Sequence, residues 1–287
     1  MPRHTLGSAF FICGISLTIA GCPFTERPPN TQLDPFDSSD PTKFILNDTG
    51  VDFFLDHDVA DSPQVMERPS VTPKGAPGQD AATGADVTEK LDSDGRLGFS
   101  FTKLEEKTGK ALGSDAPSWS CVKDNTTGLV WEVKKLAGEQ AAGNMYAWYD
   151  PSLTNGGDPG LQAIEGDCGG MSFLKGNTYD YIQKINARGL CGFNDWRLPL
   201  REEFRSIIDY GVETKPLDGS TKKPMIDDRF FPNMLQRKHR WTAESSYNDP
   251  SKAWAFHADD GRGEVHPKAC VAGGNFTNGI MLVRGPN

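Results

Sequence analysis

The chain has 287 residues, 37% hydrophobic and 24% charged, with 31 Gly and 20 Pro. That composition leaves room for one or two loop-rich domains and excludes both a membrane-embedded bundle and a wholly disordered chain. A formal net charge of −9 argues against nucleic acid as a partner, and the only long apolar run sits at the N-terminus, so no internal membrane span is expected.

Arg3 and His4 give a short basic start to an apolar stretch at residues 9–20. The stretch is too short to span a bilayer stably and fits the apolar region of a secretory signal. It ends in Leu17-Thr18-Ile19-Ala20-Gly21-Cys22, which resembles a bacterial lipobox. In a lipobox, small residues precede a cysteine that is acylated and becomes the mature N-terminus. Residues 1–21 therefore read as a lipoprotein signal peptide and Cys22 as the lipid-attachment site. The alternative is an ordinary signal peptide cut near Gly21. Several acyl chains on Cys22 would anchor the protein stably to a membrane. Pro23 follows, not Asp, and by resemblance to lipoprotein sorting rules this directs the protein to the outer membrane, on its periplasmic or its surface face.

Charge divides the rest of the chain. Residues 30–98 hold 14 acids and 5 bases, whereas residues 99–287 hold 24 acids and 23 bases. Residues 22–43 are rich in Pro, Asp and Ser and read as a membrane tether. Residues 44–118 read as an acidic, loop-rich extension with short strands, one of them in Gly98-Phe99-Ser100-Phe101-Thr102. Residues 119–287 read as the globular domain. Within it, residues 129–133 predict a strand. Thr178 predicts the cap of a helix carrying Tyr181, Ile182 and Ile185, stopped by Gly189. Pro199 predicts the start of a second helix, with Leu200, Phe204, Ile207 and Ile208 on one face. Further strands are expected at 240–244, 253–257 and 279–284. Short strands, two helices and long loops define an α+β class.

Cys13 departs with the signal and Cys22 carries lipid. Cys121, Cys168, Cys191 and Cys270 remain, an even number that reads as two disulfides with three possible pairings. There is no CxxC, so neither a zinc ribbon nor a thioredoxin-like site is expected. GxSxG, Walker A and GxGxxG motifs are also missing. His257, His266 and Cys270 have a spacing that could meet a metal, but an oxidised Cys270 is no ligand, so no metal is expected, and no cofactor. Asp92-Ser93-Asp94-Gly95 reads as a solvated turn and not a calcium loop, because the later carboxylate is missing. Glu202/Glu203 and Asp227/Asp228 are sequence neighbours, which do not face each other as an acid/base pair.

Two clusters are candidates for ligand binding. Tyr146, Trp148 and Tyr149 precede a polar Gly-rich loop containing Asn155, and rings beside amides and carboxylates suit sugar faces. Lys222, Lys223, Arg229, Arg237, Lys238 and Arg240 carry six cations against Asp227 and Asp228, a local positive patch suited to a polyanionic glycan.

Three stretches carry a family resemblance. They are residues 121–132 (CVKDNTTGLVWE), Asn194-Asp195-Trp196-Arg197-Leu198-Pro199 with Glu203-Phe204, and Arg240-Trp241-Thr242-Ala243 through Ala253-Trp254-Ala255-Phe256 to Leu282-Val283-Arg284. Together they resemble the C-terminal domain family of the Legionella collagen-like protein, Lcl. Arg197-Leu198-Pro199 with Glu203 also resembles an element of C-type-lectin-like and formylglycine-generating-type domains. That resemblance implies two helices packed on a twisted antiparallel sheet, with long loops. It makes Asp195, Trp196, Arg197, Leu198, Pro199 and Glu203 a structural motif, with Glu203 the expected partner of Arg197. By analogy with lectin-like domains it implies Cys168–Cys270 and Cys121–Cys191 disulfides. Relatives of the Lcl family are associated with glycosaminoglycan-type ligands. The function expected is thus a surface-anchored lipoprotein, not an enzyme, that binds a polysaccharide or surface glycan for adhesion or capture. The alternatives are a protein-binding structural subunit of an envelope assembly and a formylglycine-generating-type enzyme.

Overall fold

The computed structural model describes residues 93–96, 98–154, 156–165, 167–170, 174–211, 225–234, 239–258, 261–269 and 278–285, with the backbone of a hairpin at 53–56 and 64–67. The signal peptide, Cys22, the tether, Asn155, Lys222, Lys223, Arg237, Lys238 and Cys270 lie outside the described residues. No helix among the described residues is long and apolar enough to cross a membrane.

The hairpin pairs β1 (Phe53–Asp56) with β2 (Gln64–Glu67). The main sheet holds β3 (Phe101–Leu104), β4 (Cys121–Asp124) and β5 (Val130–Glu132), with β11 (Val283–Arg284) on its far edge, all antiparallel. β4 turns into β5 because the Asp124 carboxylate accepts from the Thr126 and Thr127 amides and from the Thr127 hydroxyl at 2.6–3.2 Å. Such side-chain capping of a turn is what Asp does best, and it explains the Asp124-to-Gly128 part of the motif. β6 (Met145–Ala147) and β7 (Leu174–Asn177) form a small parallel pair. A second antiparallel sheet is built from β8 (His239–Ser245), β9 (Lys252–His257) and β10 (Gly263–Pro267), with β9 in the middle.

Helix α1 (Thr178–Arg188) is capped one residue earlier than expected. Asn177 is the N-cap, its side chain accepting from Asp180 N, and Gly189 ends the helix in a left-handed conformation. Thr178 is instead the first helical residue, and its hydroxyl both accepts from Tyr149 N and donates to Tyr149 O, at 2.9 Å each. Helix α2 (Arg201–Arg205) starts after Pro199, with Phe204, Ile207 and Ile208 buried. Its free N-terminal amides are met by two carboxylates: Glu203 accepts from Leu200 N and Glu244 from Arg201 N, both at 2.7 Å.

Among the described residues the strands are short and distributed over four small sheets, not one twisted sheet. The main sheet is buried on both faces, so period-2 alternation separates two cores and not core from solvent. Phe101, Val122, Trp131 and Val283 point to one core, shared with Phe204, Phe230, Phe231 and Phe256. Leu104, Cys121, Val130 and Leu282 point to the other, shared with Tyr181, Ile185, Trp196 and Trp241. Each fully buried large side chain contributes roughly 1.5–3 kcal/mol from removal of apolar surface from water. Residues 278–284 join the sheets: Gly279 bridges to Arg240 of β8, and Val283 pairs with Trp131 of β5. β3 lies on the N-terminal side of the boundary that the sequence places at 119, yet it is a strand of the main sheet. Phe101 packs its ring on Phe230 and Phe231, with centroids 5.5 and 5.2 Å apart. The folded unit therefore includes at least residues 99–118.

One disulfide joins Cys121, at the start of β4, to Cys191 in the 3-10 turn Leu190–Gly192 that follows α1. Cys168 is also disulfide-bonded, and its partner lies outside the described residues.

Candidate functional site

The outer sheet assembles a histidine–carboxylate cluster. Successive strand residues alternate between faces, so residues opposite one another share a face. His239 of β8 lies opposite His257 of β9, and Glu264 and His266 of β10 lie opposite Ala255 and Ala253. All of these side chains are on one face. Neighbouring strands are about 4.8 Å apart, so side chains of β8 and β10 must reach over β9 to meet. They can do so because β9 presents only the small side chains of Ala253 and Ala255 there. His239 Nε2 lies 3.2 Å from Glu264 Oε2, and His266 Nε2 lies 3.3 Å from the same oxygen. The ring centroids of His239 and His257 are 4.4 Å apart, and those of His239 and His266 4.7 Å.

Electrostatics follow from this packing. Burial, and then the neighbouring imidazoles of His257 and His266, push the His239 pKa down to about 4 against the pull of Glu264. Hydrogen bonding to His266, with the nearby His239 and Arg262, holds Glu264 below the usual carboxylate range. His266 Nδ1 faces the buried amide of Asn278, 3.1 Å from its Oδ1. Arg262 reaches the other carboxylate oxygen of Glu264 at 3.4 Å. Three of the chain's five histidines thus converge on one sheet face. The sequence reading considered His257 and His266 but expected no metal. It missed His239 and Glu264 because β10 was not foreseen, and only strand pairing places these residues side by side.

A second polar centre lies beside the core of Cys121, Val130 and Tyr181. Glu132 Oε1 accepts from Lys134 Nζ at 2.9 Å, Gln140 Nε2 at 3.2 Å and the Tyr181 hydroxyl, while Oε2 accepts from Leu282 N at 3.0 Å. Burial lowers the Lys134 pKa, and burial with the Glu132 charge raises Tyr181 well above its ordinary value. This centre ties β5 to α1 and to the last strand. All its groups satisfy one another, which is what a buried charge requires.

The motif residues form a clasp. Arg197 donates to both carboxylate oxygens of Glu203, at 2.7 and 2.6 Å. Asp195 holds the Arg284 guanidinium with contacts of 2.8–3.2 Å, and Arg284 stacks over Phe193 at 4.3 Å. Trp196 is buried and donates from Nε1 to Leu190 O at 3.1 Å. Leu198 and Pro199 are buried too. Two backbone bonds between Arg197 and Val283 close the clasp.

The expected ligand-binding residues separate. Tyr146 and Trp148 are core residues, 3% and 1% exposed, so neither offers a ring face to a ligand. Trp148 donates to Thr242 O at 2.9 Å, and Tyr146 packs on Tyr181. The reason is the β6 strand, which runs between cores and buries both its faces. Tyr149, just beyond β6, is half-buried and packs edge-to-face on Tyr179 of α1, with centroids 6.1 Å apart. In the basic cluster, Arg229 spends its guanidinium on Asp227, with contacts of 2.6–3.2 Å, and Arg240 is buried. Lys222, Lys223, Arg237 and Lys238 lie outside the described residues. Asp94 accepts from the Ser100 hydroxyl at 2.7 Å, as a turn residue does.

An α+β domain of short sheets, tied by a disulfide and closed by an arginine–carboxylate clasp, is the class of protein this structure defines. The chain belongs to the Lcl C-terminal domain family, whose model matches residues 120–275. No curated protein and no solved structure matches it.

Proposed function

We propose that the protein is a lipoprotein, anchored to the outer membrane through Cys22, whose C-terminal domain binds a glycan and is not an enzyme. The observation that carries the reading is the Tyr149–Tyr179 pair. Tyr179 is 38% exposed and Tyr149 half-buried, and both stand beside the polar loop 150–160. That loop presents the hydroxyls of Ser152 and Thr154 and the carboxylates of Asp150 and Asp158. Aromatic C–H stacking with adjacent hydrogen-bonding groups is the usual recipe for a sugar face. A C-type-lectin-like arrangement, with a Cys168–Cys270 bridge beside Cys121–Cys191, is part of the same proposal. A glycan array probed with the mature chain, next to Tyr149→Ala/Tyr179→Ala, tests it. Binding by the wild type and loss in the double variant, with the melting temperature retained, is the expected result. A wild type that binds no glycan overturns it.

The envelope-assembly reading draws on exposed apolar side chains at Leu136, Leu153, Ile164 and Tyr247, the last 97% exposed. Formylglycine-generating chemistry needs reactive thiols, whereas Cys121, Cys168 and Cys191 are all in disulfides.

A further inference from the structure

We propose that His239, Glu264 and His266 form a binding site for a divalent transition-metal ion of the zinc class, with a coordination position open on the solvent side.

The three residues present ligand atoms that all lie within 4.8 Å of one another. Zinc–nitrogen and zinc–oxygen bonds of about 2.0–2.2 Å in a tetrahedral site place ligand atoms about 3.3–3.5 Å apart. The two histidine-to-Glu264 separations of 3.2 and 3.3 Å already match that edge. His239 Nε2 is buried and turned toward Glu264, 3.2 Å away, where a shared cation would lie between them.

The surroundings do for these ligands what an outer shell does in metal sites. Asn278 meets His266 Nδ1 with its side-chain amide at 3.0–3.1 Å, which fixes the ring plane and leaves Nε2 turned toward Glu264. Arg262 on Oε1 leaves Oε2 as the single inward-facing carboxylate oxygen. Trp241 packs edge-on against His266, with centroids 6.2 Å apart, and closes the inner side. Side-chain exposures of 28% for His239 and 36% for Glu264 leave the outer side accessible. Two imidazoles and one carboxylate select zinc-like ions over calcium or magnesium, which take oxygen ligands almost exclusively. Three protein ligands leave a fourth position for water or for an oxygen of a bound molecule.

The test uses tag-free mature protein stripped with a chelator. Zinc binding is followed by titration calorimetry, and cobalt substitution by its visible absorption. One ion per chain is expected. His239→Ala and Glu264→Gln should each weaken binding at least tenfold, with the melting temperature of the metal-free protein unchanged. Asn278→Ala should weaken it about tenfold through ring orientation alone. Because His266 is buried, His239→Ala is the decisive variant. Failure of the wild type to bind zinc, or binding that survives both His239→Ala and Glu264→Gln, overturns the proposal.

Discussion

At the residue scale, the buried Glu132 centre is where single atoms matter most. Replacing Glu132 by Ala leaves the Lys134 ammonium buried without its counter-charge, and breaking a buried pair in this way costs about 3–5 kcal/mol. Urea unfolding of Glu132→Ala should show that loss. Tyr181→Phe removes the hydrogen bond donated to Glu132 and the one accepted from Lys134 Nζ at 3.1 Å, and should cost at least about 1.5–3 kcal/mol at neutral pH. Its pH dependence carries a sign. The Tyr181 phenol is raised in the fold, so its stabilising contribution is complete below the unfolded value near 10 and is lost as pH rises toward the folded one. Wild type therefore weakens above pH 10 through a group that Tyr181→Phe lacks. The stability gap between the two proteins should narrow there; a gap that widens would contradict the assignment.

At the scale of elements, turns and links decide which pieces hold together. Gly189 and Gly160 both sit at positive φ, 68° and 80°. A Cβ on Gly189 meets nothing within 4 Å, so Gly189→Ala should cost only the left-handed backbone penalty of about 1–2 kcal/mol. A Cβ on Gly160 would lie 2.2 Å from Trp148 O, so Gly160→Ala must displace backbone and should cost clearly more. Chemical denaturation of the two variants checks the order. The Cys121–Cys191 bridge spans 70 residues, and a loop of that size confers about 4 kcal/mol in the chain-entropy account. Cys121→Ala/Cys191→Ala should lose most of that. The same loop holds β6, β7 and α1, so their protection from hydrogen exchange should fall first.

At the scale of the whole molecule, the predictions concern boundaries and anchoring. A chain beginning at residue 119 lacks β3, Phe99 and Phe101, and so opens one edge of the main sheet and one end of a core. It should aggregate or unfold, whereas a chain beginning at residue 93 should give a cooperative melt. Cys22→Ser should remove palmitate labelling and release the exported protein from the membrane; equal labelling of the variant would contradict lipidation. Peptide mapping under non-reducing conditions should link Cys168 to Cys270.

Local chemistry made much of this legible in the sequence. The Gly189 stop, the helix after Pro199 and the Arg197–Glu203 clasp all join residues close in sequence, so they are legible locally. The cap of α1 was misread by one residue because Asn177 and Thr178 are both good caps, and Thr178 is diverted to the backbone of Tyr149. The burial of Tyr146 was not legible because β6 is covered on both faces, and a strand of three residues carries no alternation to reveal that. The site itself was the least legible. His239, Glu264 and His266 come from the two outer strands of a sheet and meet over Ala253 and Ala255 of the middle one. The sequence by itself determined the α+β class and the local motifs, because each depends on composition or on neighbours within a few residues. Only the tertiary structure decided which aromatics are core, where the folded unit begins and which histidines converge, because these depend on strand pairing between segments far apart in the chain.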